Sequence, residues 1–84
     1  MAAPAWKIAS DVSEGYLTLN SVMLKKFEGH ELVAVQTELE RTAREIRGTL
    51  VPQDDLDATQ KRNRKLLRIS QAITVLQAFR IRGR

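Results

Sequence analysis

Between Pro52 and Gly83 the chain holds neither glycine nor proline, and nothing there interrupts a helical pattern. A helix over residues 54–80 spans about 26 residues, hence about 39 Å at 1.5 Å per residue. A rod of that length must lie against shorter elements of its own chain or against other chains. Pro52 pushes Val51 out of the α region, so residues 49–54 read as the connection that precedes it. Asp54 is placed to accept bonds from the first free amides, and Asp55 and Asp57 favour the same helix start electrostatically.

Upstream, Leu32, Val35, Leu39, Ala43 and Ile46 recur at spacings of three and four, which lays them along one stripe of a helix over residues 30–47. Glu38, Glu40, Arg41, Arg44 and Arg47 fill the opposite face. Glu40 with Arg44 and Glu38 with Arg41 are acid-before-base pairs, each worth about 0.2–0.5 kcal/mol on an exposed helix. Gly48 is expected to end this helix as its left-handed residue. A first helix over residues 10–28 follows from Trp6, Ile8, Val12, Tyr16, Leu19, Met23 and Phe27, with Ser10 or Ser13 as its N-cap and Gly15 an interruption within it. Tyr16 to Leu19 has strand character, but no second β-like run exists for it to pair with. Residues 27–30 form a tight turn, so the first two helices make an antiparallel hairpin.

The fold class is therefore all-α, one small domain over residues 1–84: a helical hairpin and a longer third helix, with residues 80–84 a basic tail. It closes either as a three-helix bundle or as a coiled-coil-like assembly with partner chains. The apolar supply bears on that choice. With 84 residues and only four aromatics, such a domain buries only about 60–65% of the surface its unfolded chain exposes. No cysteine is present to staple it. The reading that follows is a chain too lean to cover its own apolar ridge, which in isolation self-associates or folds only in part.

That ridge lies on the third helix, where Leu66, Ile69, Ile73, Leu76 and Phe79 form a seam. Ahead of Leu66 the pattern turns polar, with Thr59, Gln60 and Asn63 where the stripe would continue. Either the first two helices cover the seam and Asn63 lies where the bundle is wet, or Asn63 sets register against a helix of another chain.

Charge is divided as sharply. Residues 1–60 carry six bases and all ten acids, net −4, whereas residues 61–84 carry eight bases and no acid, net +8. Lys61, Arg64, Lys65 and Arg68 share one helical face, with Arg62 pointing elsewhere. That face would attract a phosphate backbone, or equally an acidic protein surface or the chain's own acids. No aromatic is interleaved to stack bases. Calmodulin-type recognition of Leu66, Ile73 and Phe79, and adsorption to an anionic membrane, are weaker readings of the same segment.

Catalysis has few candidates. The lone histidine, His30, stands beside Glu31 and reads as a solvated or capping residue. Asp54, Asp55 and Asp57 lack the alternation, central glycine and closing glutamate of a calcium loop. No phosphate-binding glycine loop, cofactor or metal site is expected, and no uncharged run approaches the length of about 20 residues that spans a membrane. The opening residues do not resemble a secretory or transit leader, which makes a cytoplasmic or nuclear home the expectation. The functional expectation is a non-catalytic subunit that assembles with other helical chains, in a hetero-oligomer or with itself, through Leu66, Ile69, Ile73, Leu76, Phe79 and Asn63. The alternative is a nucleic-acid-binding module using Lys61, Arg62, Arg64, Lys65 and Arg68.

Overall fold

The computed structural model describes residues 3–82. It contains four helices packed on one another: α1 (Ala5–Glu14), α2 (Ser21–Leu24), α3 (Gly29–Gly48) and α4 (Leu56–Ile81). No strand occurs among the described residues, and no helix is long and apolar enough to cross a membrane.

The long helix forms as its composition requires, over 26 residues, but starts two residues later than the sequence pattern suggests. Asp55 rather than Asp54 is the N-cap, its Oδ1 accepting from the Ala58 amide at 3.0 Å. At the other end Arg80 is still helical and donates to Gln36 Oε1 at 2.8 Å, so the basic tail begins later than expected. Gly83 and Arg84, the end of that tail, lie outside the described residues.

The helix expected over residues 10–28 does not exist as one element. The chain enters α1 earlier, with Pro4 as the extended N-cap residue, so Ser10 and Ser13 sit inside the helix. Gly15 ends it, with φ +87°. The Tyr16 amide reaches back to the Asp11 carbonyl at 2.8 Å and the Gly15 amide to Val12 at 3.1 Å, which together make a Schellman closure. Only glycine adopts that backbone without a Cβ penalty of about 1–2 kcal/mol. Residues 15–20 then run without regular structure to Asn20, whose side chain accepts from the Met23 amide at 3.0 Å and caps the single turn of α2.

Gly48, by contrast, closes α3 without a left-handed residue, since Gly15 alone has positive φ among the described glycines. Thr49 takes over the cap: its amide donates to the Ile46 carbonyl at 3.2 Å and its hydroxyl to the Glu45 carbonyl at 3.0 Å. The antiparallel hairpin is also a different one. Arg62 reaches the Ile46 carbonyl and Arg80 reaches Gln36, which fixes α3 and α4, not the first two helices, as the antiparallel pair.

The core gathers Ile8, Ala9 and Val12 of α1, Leu32, Val35 and Leu39 of α3, and Ile69, Ala72 and Leu76 of α4. Leu19, Leu24 and Phe27 add three buried side chains from the segment between α1 and α3. Leu17, Thr18 and Leu19 line one depression with Arg68, Ala72 and Val75, so this strap lies alongside α4 and closes what two helices alone would leave open. The expected shortage of cover therefore does not arise at the seam. Trp6 and Tyr16, counted on the inward stripe of a longer helix, instead face solvent: Trp6 stands two residues from Ile8, about 200° round α1, and Tyr16 follows the turn at Gly15, past which the helical register is not continued.

At the start of α3 the Glu28 amide donates to Glu31 Oε1 at 2.8 Å, the return half of a capping box. That bond holds the Glu31 carboxyl below its ordinary value. A lowered folded pKa means that the stabilisation is complete above the unfolded value and disappears as pH falls through the folded one. In Glu31→Gln the amide oxygen still accepts from Glu28 but does not titrate. Between pH 5 and pH 3, about the range in which glutamates protonate, the variant's thermal midpoint should fall less than that of the parent; equal falls would remove the capping bond as the cause.

Candidate interaction surface

The inward stripe of α4 changes chemistry half-way along. Read back from Ile69 in steps of three and four, it continues through Lys65 and Arg62 to Ala58, all three half-buried. Two cations thus stand where the leucines of a self-sufficient bundle would stand. Their immediate work is local. Arg62 donates to the carbonyls of Ile46 at 3.4 Å and Arg47 at 3.3 Å, at the C-terminal end of α3. Lys65 lies 3.2 Å from the Glu14 carboxylate at the end of α1. Next to it, Arg68 Nη1 donates to the Ser13 carbonyl at 2.6 Å. The carbonyl ends of α1 and α3 both meet this half of α4, and cations at that pole of a helix are each worth about 0.3–1 kcal/mol at the surface.

The basic cluster is therefore largely engaged by its own chain. Lys61 pairs with Asp57 at 3.2 Å along the exposed side of the helix. Arg64 is exposed and has no ion pair or hydrogen bond among the described residues. Lys61, Arg64, Lys65 and Arg68 do border one shallow depression, as their spacing implies, but Glu14 shares it.

The residues expected on a partner-facing seam are distributed differently. Ile69 and Leu76 are buried within the chain's own core, and Phe79 nearly so; Leu66 and Ile73 pack partly against that core. Asn63 is exposed and lies off the inward stripe. The buried part of the seam faces α1, α3 and the strap, while Leu67 and Val75 beside it are exposed.

Open apolar surface occurs elsewhere. α1 has 10 residues against 20 in α3 and 26 in α4, so it lies along only part of the hairpin. Past the end of α1, Ile46, Leu50, Val51, Pro52 and Ala58 line a groove whose remaining lining includes Lys61, Arg62 and Lys65. Leu50 is 96% exposed. Sequence reasoning reads Leu50, Val51 and Pro52 only as a connection and so does not join them to Ile46 and the basic cluster. The available signal was the pair Leu50–Val51, two apolar residues in a loop where water-facing side chains are the rule.

Other candidate chemistry is sparse. His30 lies in the first turn of α3, largely exposed, with Nδ1 3.5 Å from Glu28. Among the described residues no group of three or more His, Cys, Asp or Glu is placed to hold a metal ion. Asp55 caps α4 and Asp57 pairs with Lys61, as described above. Comparison of the chain with protein-family models, with curated proteins and with solved structures finds no match.

Proposed function

We propose that the chain is a non-catalytic interaction subunit of a larger helical assembly, bound by other helical chains in a hetero-oligomer. The observation that supports this reading is the length mismatch: α1 stops beside Lys65 and Arg68, and the hairpin continues past it with Ile46, Leu50 and Val51 left open. Leu50 is exposed and Ile46 and Val51 are only partly covered by the chain itself, and covering what remains contributes about 25 cal/mol per Å² removed from water. Assembly so driven resists salt, because apolar burial is not screened.

The test is purification of the tagged full-length chain from its own cells with nuclease present. One or more proteins should co-elute in fixed ratio and stay bound at about 1 M salt, where the Debye length is about 3 Å. A chain that elutes alone overturns the reading. A second reading, nucleic-acid binding, is favoured by exposed, unengaged Arg64 beside Lys61. It requires that binding of a duplex oligonucleotide weaken steeply with salt and that Arg64→Glu reduce it further.

A further inference from the structure

Resting on the interaction-subunit reading, we infer that the groove at the distal end of the α3–α4 hairpin seats a short acidic amphipathic helix from a partner protein. That helix lies where α1 would lie if it were longer and completes the bundle's cross-section there. Three observations converge on it.

The first is space. The last contacts of α1 with α4 are made by Glu14 on Lys65 and by the Ser13 carbonyl on Arg68. From Lys65 back to Leu56, α4 continues for about 14 Å at 1.5 Å per residue, enough for two to three turns of a docked helix. The second is burial along the hairpin. On α3, Ala43 is buried and Ile46 only partly so; on α4, Ile69 is buried while Lys65, Arg62 and Ala58 are not. The core thins just where α1 ends, although the inward stripe goes on.

The third is charge. Lys61, Arg62 and Lys65 share the groove lining with apolar residues, and no carboxylate is part of that lining; the Asp57 and Glu14 carboxylates that pair with Lys61 and Lys65 stand outside it, in solvent-exposed ion pairs of the kind worth only about 0–1 kcal/mol. A basic helix would meet like charge. Phosphate would satisfy the cations and leave Leu50 bare. An acidic helix with leucines on one face covers Leu50 and Val51 while its carboxylates meet the cations, and opposite potentials of this kind set both encounter rate and partner choice.

The experiment uses the full chain, isotope-labelled for amide NMR, and a synthetic helix-forming peptide of about 14 residues with leucine at three- and four-residue spacing and glutamate on its other face. Amide shifts should concentrate at residues 46–52 and 58–65. Replacing the peptide's leucines by glutamine, or its glutamates by lysine, should weaken binding by about tenfold or more, as loss of an anchor does at an interface. Leu50→Glu in the chain should do the same without altering its circular dichroism, since that side chain touches little of the fold. Shifts elsewhere, or equal affinity for parent and Leu50→Glu, overturn the assignment. So does a duplex oligonucleotide that moves the same amides equally in both chains, or a concentration-dependent dimer that moves them with no peptide present. Should cellular partners co-elute equally with the parent and Leu50→Glu, the groove assignment falls while the subunit reading stands. Should the peptide seat as described while nothing co-elutes from cells, only the subunit reading falls.

Discussion

Leu76→Asp should abolish the far-UV helical signal of the chain at 25 °C. The side chain is fully enclosed between α4 and its neighbours. Truncating a leucine in such a place costs about 2–5 kcal/mol through lost transfer energy and the cavity left behind. An unpaired carboxylate there adds a desolvation penalty of at least the same order, or shifts its pKa upward to escape it. Small domains without staples hold only about 3–5 kcal/mol in total, so the sum exceeds what the fold can absorb. Leu76→Ala, at the lower end of the range, should leave a folded but strongly destabilised chain. The informative contrast is between circular dichroism and elution volume. If Leu76→Asp kept full helicity and only changed its apparent size, the seam would be facing a partner and the core described above would be wrong.

Gly15→Ala should lower the thermal midpoint by about 4–8 °C for each kcal/mol lost, and two effects add at that one position. The residue is held at φ +87°, where a Cβ costs about 1–2 kcal/mol. That Cβ would also stand 3.2 Å from Cζ of Arg68, closer than ordinary van der Waals contact, so the guanidinium must shift. Its 2.6 Å bond to the Ser13 carbonyl is then strained or lost. Arg68→Ala removes that bond outright, at about 1.5–3 kcal/mol for a charge-assisted hydrogen bond. Because the glycine change already disturbs Arg68, the double variant should lose less than the two single losses combined, a coupling that a double-mutant cycle measures directly. Strict additivity, or a Gly15→Ala chain as stable as the parent, would show that α1 does not depend on this clamp.

The two glycines show how far one-dimensional reading reaches. Gly48 follows a clean amphipathic stripe and carries the usual signature of a left-handed helix end, yet its φ is not positive. Its helix is closed by Thr49 and by Arg62, which comes from across the hairpin. Gly15 looked like a flaw in a longer helix and is instead the left-handed terminator. Both outcomes depend on which groups can reach the freed carbonyls, and these come in part from residues distant in sequence: Arg62 lies 16 positions from Ile46, and Arg68 lies 55 from Ser13. Spacing rules see about four residues in either direction and cannot anticipate such partners.

The same limit governed the candidate site. Lys61, Arg62, Arg64, Lys65 and Arg68 stand out in the sequence as an acid-free cluster, and the cluster is real. What spacing could not supply is that the C-terminal ends of α1 and α3 converge on it, so that much of its charge answers helix dipoles. Leu50 gave no periodic signal at all, because its significance comes from the place where α1 stops.

Local chemistry was enough to specify an all-helical chain, the course of α3 within two residues at either end, and a long unbroken α4. Those features depend on propensity, apolar period and the positions of glycine and proline, all of which act within a turn or two. Three-dimensional packing alone determined that the segment from Gly15 to Glu28, irregular apart from the single turn of α2, contributes Leu19, Leu24 and Phe27 to the core, that Ile69, Leu76 and Phe79 of the seam are enclosed by the chain itself, and that an apolar groove is left at the far end of the hairpin. Burial is a property of what arrives from elsewhere in the chain, and no local pattern records how far a neighbouring helix extends.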